Sequence, residues 1–171
     1  LSNWITSDIT NDAGIDTGAA FTPHSGPLDP RIDYTVARRG IEFNGFGAFT
    51  GKENIRASFT DISGPYAAKK NFYTAGDSDN RGTGGWGEQR SGINYHFMRY
   101  ADVLLMAAEA AIETGNLAKG LDYVNQVRDR AKNMTVADTG PSYKVEPYPS
   151  FASADYARKA VRHERRMELG M

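Results

Sequence analysis

Cysteine is absent from this chain of 171 residues. That excludes a disulfide framework, thiolate metal sites and a cysteine nucleophile. Histidine is scarce, and His24, His96 and His163 share no metal-ligand spacing. Charge of one sign is missing too, since 20 Lys and Arg stand against 21 Asp and Glu for a formal net charge of −1. A nucleic-acid binder needs surplus cations to displace counterions from phosphates, so this balance argues against such a partner. Long apolar runs are also lacking. The longest, Val103 to Ala108, has six residues, far short of the ~18 of a membrane-spanning helix. What is there, 40% apolar, 24% charged and 11% aromatic in 18.7 kDa, is the composition of about one globular domain. The chain opens on Leu1 and reaches Met171 inside a helical pattern without a stop signal. It reads as a piece of something longer.

The pattern changes near residue 93. Over 1–93, Gly, Pro, Asn, Asp, Ser and Thr dominate and apolar residues appear singly. Structureless stretches of that length are rare in compact domains. Disorder fits poorly, because more than half of the aromatic residues lie here and disordered segments are aromatic-poor. A loop-rich layer with a few short elements, packed on another part of the protein, is expected.

Over 94–171 the period is helical. Phe97, Ala101, Leu104, Leu105, Ala108 and Ile112 share one helix face. Gly115 suits the position after a helix end, and Asn116 suits an N-cap. Leu117, Leu121, Val124, Val127 and Ala131 stripe a second helix, with Arg128, Arg130 and Lys132 at the negative end of its dipole. So short a linker predicts an antiparallel hairpin over 94–132. A Pro-containing loop over 133–152 follows. Ser153 then caps a third helix over 153–171, whose inner face would carry Tyr156, Ala157, Ala160, Val161 and Met167. Ala108 at mid-helix, the Gly115 turn and Tyr123 match one tetratricopeptide unit, with Gly120 where Ala is commoner. One unit cannot bury both faces of its helices, so neighbouring units are expected.

These residues also carry a resemblance. Arg99-Tyr100-Ala101-Asp102-Val103-Leu104-Leu105-Met106, followed by Ala108-Glu109-Ala110 and Gly115, resembles the C-terminal region of the SusD/RagB family. Val124-Asn125-Gln126-Val127-Arg128 with Arg130-Ala131, and Glu164-Arg165-Arg166 with Glu168-Leu169, extend it. Upstream, Asp29-Pro30-Arg31-Ile32-Asp33-Tyr34-Thr35 with Arg38-Arg39-Gly40 is similar to a motif these proteins carry after their mid-chain loop. The four motifs stand in the family's order from Asp29 to the chain's end. The resemblance implies a mainly α fold, a tetratricopeptide-type α/α superhelix with a large loop-rich layer. It implies an outer-membrane lipoprotein facing outside the cell, without catalytic activity. Such a protein binds glycans, or in some members peptides, and caps a TonB-dependent transporter of the SusC type. The lipid-bearing N-terminal Cys and a Gly-His-Arg-type continuation beyond Leu169 are not in the sequence, as expected of a fragment. A helical-repeat scaffold that binds only proteins is the alternative.

Enzyme and metal motifs are fragmentary. Gly82-x-Gly84-x-x-Gly87 matches a dinucleotide fingerprint in spelling, but Asp77-Ser78-Asp79-Asn80-Arg81 is not the apolar strand that must precede it. Asp77, Asp79, Gly82 and Glu88 occupy positions 1, 3, 6 and 12 of a calcium loop, with Arg81 where position 5 needs an oxygen. A structural calcium and a plain solvated loop both remain open readings, and no other cofactor is expected. His163-Glu164 is half of a zinc-protease motif, lacking the second histidine one turn on. Glu109/Glu113 and Glu164/Glu168 are i,i+4 carboxylate pairs. Neighbours on one helix do not straddle a sugar as a glycosidase requires, and such pairs ordinarily face water.

Aromatic rings are the better candidates. Phe43, Phe46, Phe49, Phe72, Tyr73 and Trp86 lie among Gly and Asn, outside any regular core helix. Aromatic faces stack on the C–H faces of sugars, while neighbouring polar groups fix hydroxyls; the alternative is that the rings pin loops to the helices. The candidate ligand residues are Trp86, Trp4, Phe46, Tyr73 and Arg90, led by Trp86 between Gly85 and Gly87. If the indole stacks on a sugar, Trp86→Ala weakens glycan binding by ~1–2 kcal/mol and leaves the melting temperature nearly unchanged. Titration of both folded proteins with one oligosaccharide checks this; equal affinities would remove Trp86 from the site.

Overall fold

A computed structural model describes residues 20, 24, 27–51, 66–77, 92–136 and 142–170. In chain order the elements are β1 (Pro27–Leu28), α1 (Ile32–Thr35), β2 (Val36–Ala37), β3 (Ala67–Ala68), α2 (Tyr100–Glu113), α3 (Leu117–Lys132), β4 (Ser142–Tyr143) and α4 (Ala154–Leu169). The fold is mainly helical. Among the described residues no helix is long and apolar enough to cross a membrane.

Local chemistry sets the helix ends. Gly115 follows α2 with a φ of +82°, which only glycine adopts without strain. The Asn116 side chain accepts from the Lys119 N–H at 3.1 Å, and Ser153 accepts from the Tyr156 N–H at 3.1 Å. The short connection folds α3 back along α2, and α4 packs on both. Leu104, Leu105, Ala108 and Ile112 meet Val124, Val127, Ala157, Ala160 and Val161 in the core, closed by Tyr148 from the loop before α4. Gly120 lies where these helices come close. A Cβ there would sit 2.7 Å from Ile112 Cγ1 and 3.2 Å from the Ala108 carbonyl oxygen, so even alanine is crowded.

Two expectations need correction. Phe97 is not on the core face of α2. The helix begins at Tyr100 after Arg99, whose backbone is extended, and Phe97 stands 92% exposed ahead of it. The Glu164/Glu168 pair does not face water. Both carboxylates are buried on the inner face of α4, next to Ala157, Ala160 and Val161.

What buries them is arginine. In the Asp29-Pro30-Arg31 turn, Asp29 accepts from the Arg31 N–H at 3.0 Å, and its carboxylate receives Arg31 Nε at 2.9 Å and Nη2 at 2.6 Å. The remaining nitrogen, Nη1, donates to Glu164 at 2.5 Å and to Glu168 at 3.2 Å. Burial alone would lower the pKa of Arg31, but the Asp29 hydrogen bonds and the Glu164 charge outweigh it and raise the value. Arg128 donates to the other Glu164 oxygen at 2.8 Å and to the Glu146 carbonyl at 2.8 Å, with its guanidinium 4.3 Å from the Tyr148 ring centroid. It therefore serves the interior, not only the helix dipole. Burial pushes the Tyr148 hydroxyl up to about 12, against the lowering effect of Arg128. Glu168 is shared by Arg31, Arg99 and Arg130, the last at 2.7 and 2.8 Å.

A second clamp lies beside the first. Arg38 donates to Asp33 at 2.6 and 2.8 Å, and Tyr143 donates its hydroxyl to the same carboxylate. β1 pairs in parallel with β4, Pro27 opposite Ser142 and Leu28 opposite Tyr143. β2 pairs antiparallel with β3, Val36 opposite Ala68 and Ala37 opposite Ala67. The segment from 27 to 38 is thus tied at once to the 142–146 loop, to residues 67–70 and to α4.

Removing one member of a buried charge network leaves the others unpaired, which costs about 3–5 kcal/mol. Glu164→Ala should destabilise the protein on that scale in denaturant melts. Glu113→Ala, which breaks only the exposed pair with Arg158, should barely move the midpoint. His163 supplies a pH test. Burial first, then the charges of Arg128, Arg166 and Arg31, lower its pKa to about 3. The unfolded chain takes up the imidazole proton near pH ~6.5 whereas the folded chain resists, so this residue's share of stability is full above that pH and is lost as pH falls towards 3. His163→Gln should flatten the fall in stability between pH ~7 and ~5.

Candidate functional site

Residues 42–48 fold back on themselves. Asn44 and Gly45 have φ of +48° and +84°. Phe46 N–H donates to the Phe43 carbonyl at 2.8 Å, Phe43 N–H donates to the Gly47 carbonyl at 2.9 Å, and Glu42 bridges Ala48. Positive φ at both central positions is what the tight hairpin turn demands, and Asn-Gly supplies it at least cost. The Asn44 side-chain amide donates to the Lys69 and Phe72 carbonyls, both at 3.2 Å, and the Asn44 backbone carbonyl accepts from the Ala75 N–H at 2.8 Å. Hairpin and 69–75 segment are therefore one unit.

That unit gathers the rings. The Phe43 centroid lies 5.9, 5.4 and 5.2 Å from those of Phe46, Phe49 and Phe72. Phe72 stacks on Tyr73 at 4.4 Å, and Tyr73 lies 6.0 Å from Phe46. Phe49 is buried, whereas Phe46 and Phe72 remain 47% and 40% exposed. Phe49 anchors the hairpin, while Phe46 and Phe72 present apolar ring to solvent.

A cavity of about 750 Å³ adjoins the cluster, with Asn44 and Phe72 among its lining residues. That volume is typical of small-molecule sites. Its buried lining is Leu104 and Val127 with Glu168 and Arg31, and its exposed lining includes Tyr34 and Tyr100. Lys69, Lys70, Arg99 and Arg130 complete its charged walls. The Tyr34 hydroxyl donates to the Thr135 carbonyl. Lys69 Nζ donates to the Glu42 carbonyl at 2.5 Å, and Lys70 Nζ to the Gly170 carbonyl at 3.3 Å. Burial, and next the positive charge of Arg99, hold the Lys70 pKa below its ordinary value, while Glu168 pulls the other way.

Of the rings singled out from sequence, Phe43, Phe46, Phe49, Phe72 and Tyr73 come together in this cluster, Phe46 and Tyr73 among them as candidate ligand residues. Trp86, Trp4 and Arg90 lie outside the described residues, as do Asp79 and Glu88 of the calcium pattern, of which only Asp77 is described. Among the described residues no three His, Asp or Glu side chains gather as a metal site. Of the cavity's lining residues only Phe72 stood among the candidate rings. Asn44-Gly45 was a legible hairpin signal and Lys69-Lys70 next to Phe72-Tyr73 a legible mixed patch, but Tyr34, Arg99 and Tyr100 carry no local mark.

The SusD family model matches the chain over residues 6–171. Among solved structures, a SusD superfamily protein from Bacteroides vulgatus ATCC 8482 is 23% identical with a TM-score of 0.46, over 83% of this chain and 26% of that one. A SusD-like protein from Bacteroides fragilis NCTC 9343 is 22% identical with a TM-score of 0.48, over 84% of this chain and 25% of that one. The chain thus spans about a quarter of the length of these structures. No curated protein matches it significantly.

Proposed function

Since the chain belongs to the SusD family, we propose that it is part of a non-catalytic, cell-surface glycan-binding protein of the outer membrane. It takes part in nutrient uptake and delivers its ligand to a SusC-type TonB-dependent transporter. The observation that carries the binding role is the pair of exposed rings, Phe46 and Phe72, held on a hairpin that Phe49 anchors from below. Exposed aromatic rings, beside a cavity lined by amide and cationic groups, suit a sugar's C–H face and its polar edge. The non-catalytic reading is supported by how the acids are used: Glu164 and Glu168 are bound to arginines on both oxygens, which leaves neither placed to exchange a proton with substrate.

A second reading, a surface that binds proteins or peptides, is favoured by one observation. Tyr100, Val103 and Met106 form an exposed apolar row along α2, with Tyr100 73% accessible. In the complete protein, screened first on a glycan array, Phe46→Ala should weaken the selected oligosaccharide about 5–30-fold with little change in melting temperature. Phe49→Ala should do the reverse, lowering stability while the folded fraction keeps its affinity. Intact affinity in the Phe46 variant would favour the protein-binding reading.

A further inference from the structure

The cavity beside the aromatic cluster carries more positive charge than its own acids neutralise. Five cationic side chains line it, Arg31, Lys69, Lys70, Arg99 and Arg130, against the single carboxylate of Glu168. That carboxylate already serves three guanidiniums. Asp29 and Glu164 take the rest of Arg31, and Glu42 lies 3.7 Å from Lys69 Nζ. The remainder is uneven. Arg130 has half of its side chain open to solvent, and Lys70, half-buried, meets a backbone carbonyl and no carboxylate among the described residues. Burial first, and then repulsion from Arg99 and Arg130 against the pull of Glu168, lowers the Lys70 pKa.

A protein that leaves cations crowded in a recess raises the local concentration of anions there. The recess also has faces for a ring. Phe72 and Tyr100 are exposed on its lining, with apolar Leu104 and Met167 behind. We propose that this cavity binds the carboxylate of an acidic sugar residue, a hexuronic acid, with Lys70 and Arg130 as its charge partners and Phe72 and Tyr100 against its ring. A lone inorganic anion needs only the cations, and a neutral sugar needs only the rings; a uronate uses both. The inference rests on the glycan-binding reading and names the ligand class for it. Arg31 and Arg99 are positioning residues here, since they hold Glu168; Arg130 holds it too, through Nη2, but half of its side chain is open to solvent, so the charges available to a ligand are those of Lys70 and Arg130.

The test is calorimetric titration of the complete protein with a trigalacturonate or a triglucuronate, and with the methyl esters of both. Esterification keeps the rings and removes the charge. At least one acid should bind, its ester about tenfold or more weaker, and its affinity should fall as NaCl rises. Lys70→Met should reduce affinity for the acid about tenfold while leaving the ester's weak binding unchanged. Tyr100→Ala should weaken acid and ester alike. Lys70→Gln and a melting curve for each variant guard against a folding defect. Equal binding of acid and ester, or an unaltered Lys70→Met, would overturn the inference and leave the glycan reading standing. So would a Lys70→Met protein that melts lower yet binds as before, since the cavity would then be filled from within the molecule. Absence of binding to these uronates and to a panel of neutral oligosaccharides would overturn both.

Discussion

Arg31 is the point from which the rest of the structure is arranged. Its guanidinium touches Asp29 in its own turn and Glu164 and Glu168 one turn apart on α4, and so joins residues more than 130 positions away in sequence. Charges are costly to bury, and the interior tolerates these because nearly every nitrogen and oxygen is matched. Arg128 completes Glu164 from α3, while Arg99 and Arg130 complete Glu168 from the ends of α2 and α3. All three long helices and the segment before α1 thereby share one set of ions. Apolar packing among the helices tolerates small slides; matched hydrogen bonds of about 2.5–3.2 Å do not.

The two ends of the network differ in exposure. Glu164 is enclosed by Arg31 and Arg128, both buried, with Tyr148 over the latter. Asn125 holds that loop through reciprocal 2.8 Å bonds to the Tyr148 backbone. Glu168 sits at the other end, where Arg99 and Arg130 are partly open and the cavity begins. The same chemistry that fixes the helices therefore places a positive wall beside the aromatic hairpin. Structural and candidate binding functions meet at one carboxylate.

Little of the candidate site can be read from any one stretch of chain. The rings at Phe46 and Tyr73 stood out because aromatic residues among Gly and Asn have no place in a regular core helix. The cavity did not, because α1, the 69–74 segment, both ends of the helical hairpin and the last turn of α4 each contribute one or a few side chains. Tyr100 is a case in point. The apolar face read from sequence runs from Phe97 through Ala101 and leaves Tyr100 out, yet the helix starts at Tyr100, whose exposed ring lines the cavity while Phe97 stands in solvent.

Local chemistry along the chain determined the helices and where they stop. Apolar spacing marked their faces, and Gly115, Asn116 and Ser153 marked their ends, because caps and left-handed residues act within a few positions. The same local logic put Glu164 and Glu168 in water, since carboxylates one turn apart repel and belong outside. Only the tertiary structure reversed that. Whether a buried charge is stable depends on partners that arrive from elsewhere, and the four arginines that arrive here come from three separate segments. Period and composition describe a residue's neighbours in sequence; the sign of its burial energy is set by its neighbours in space.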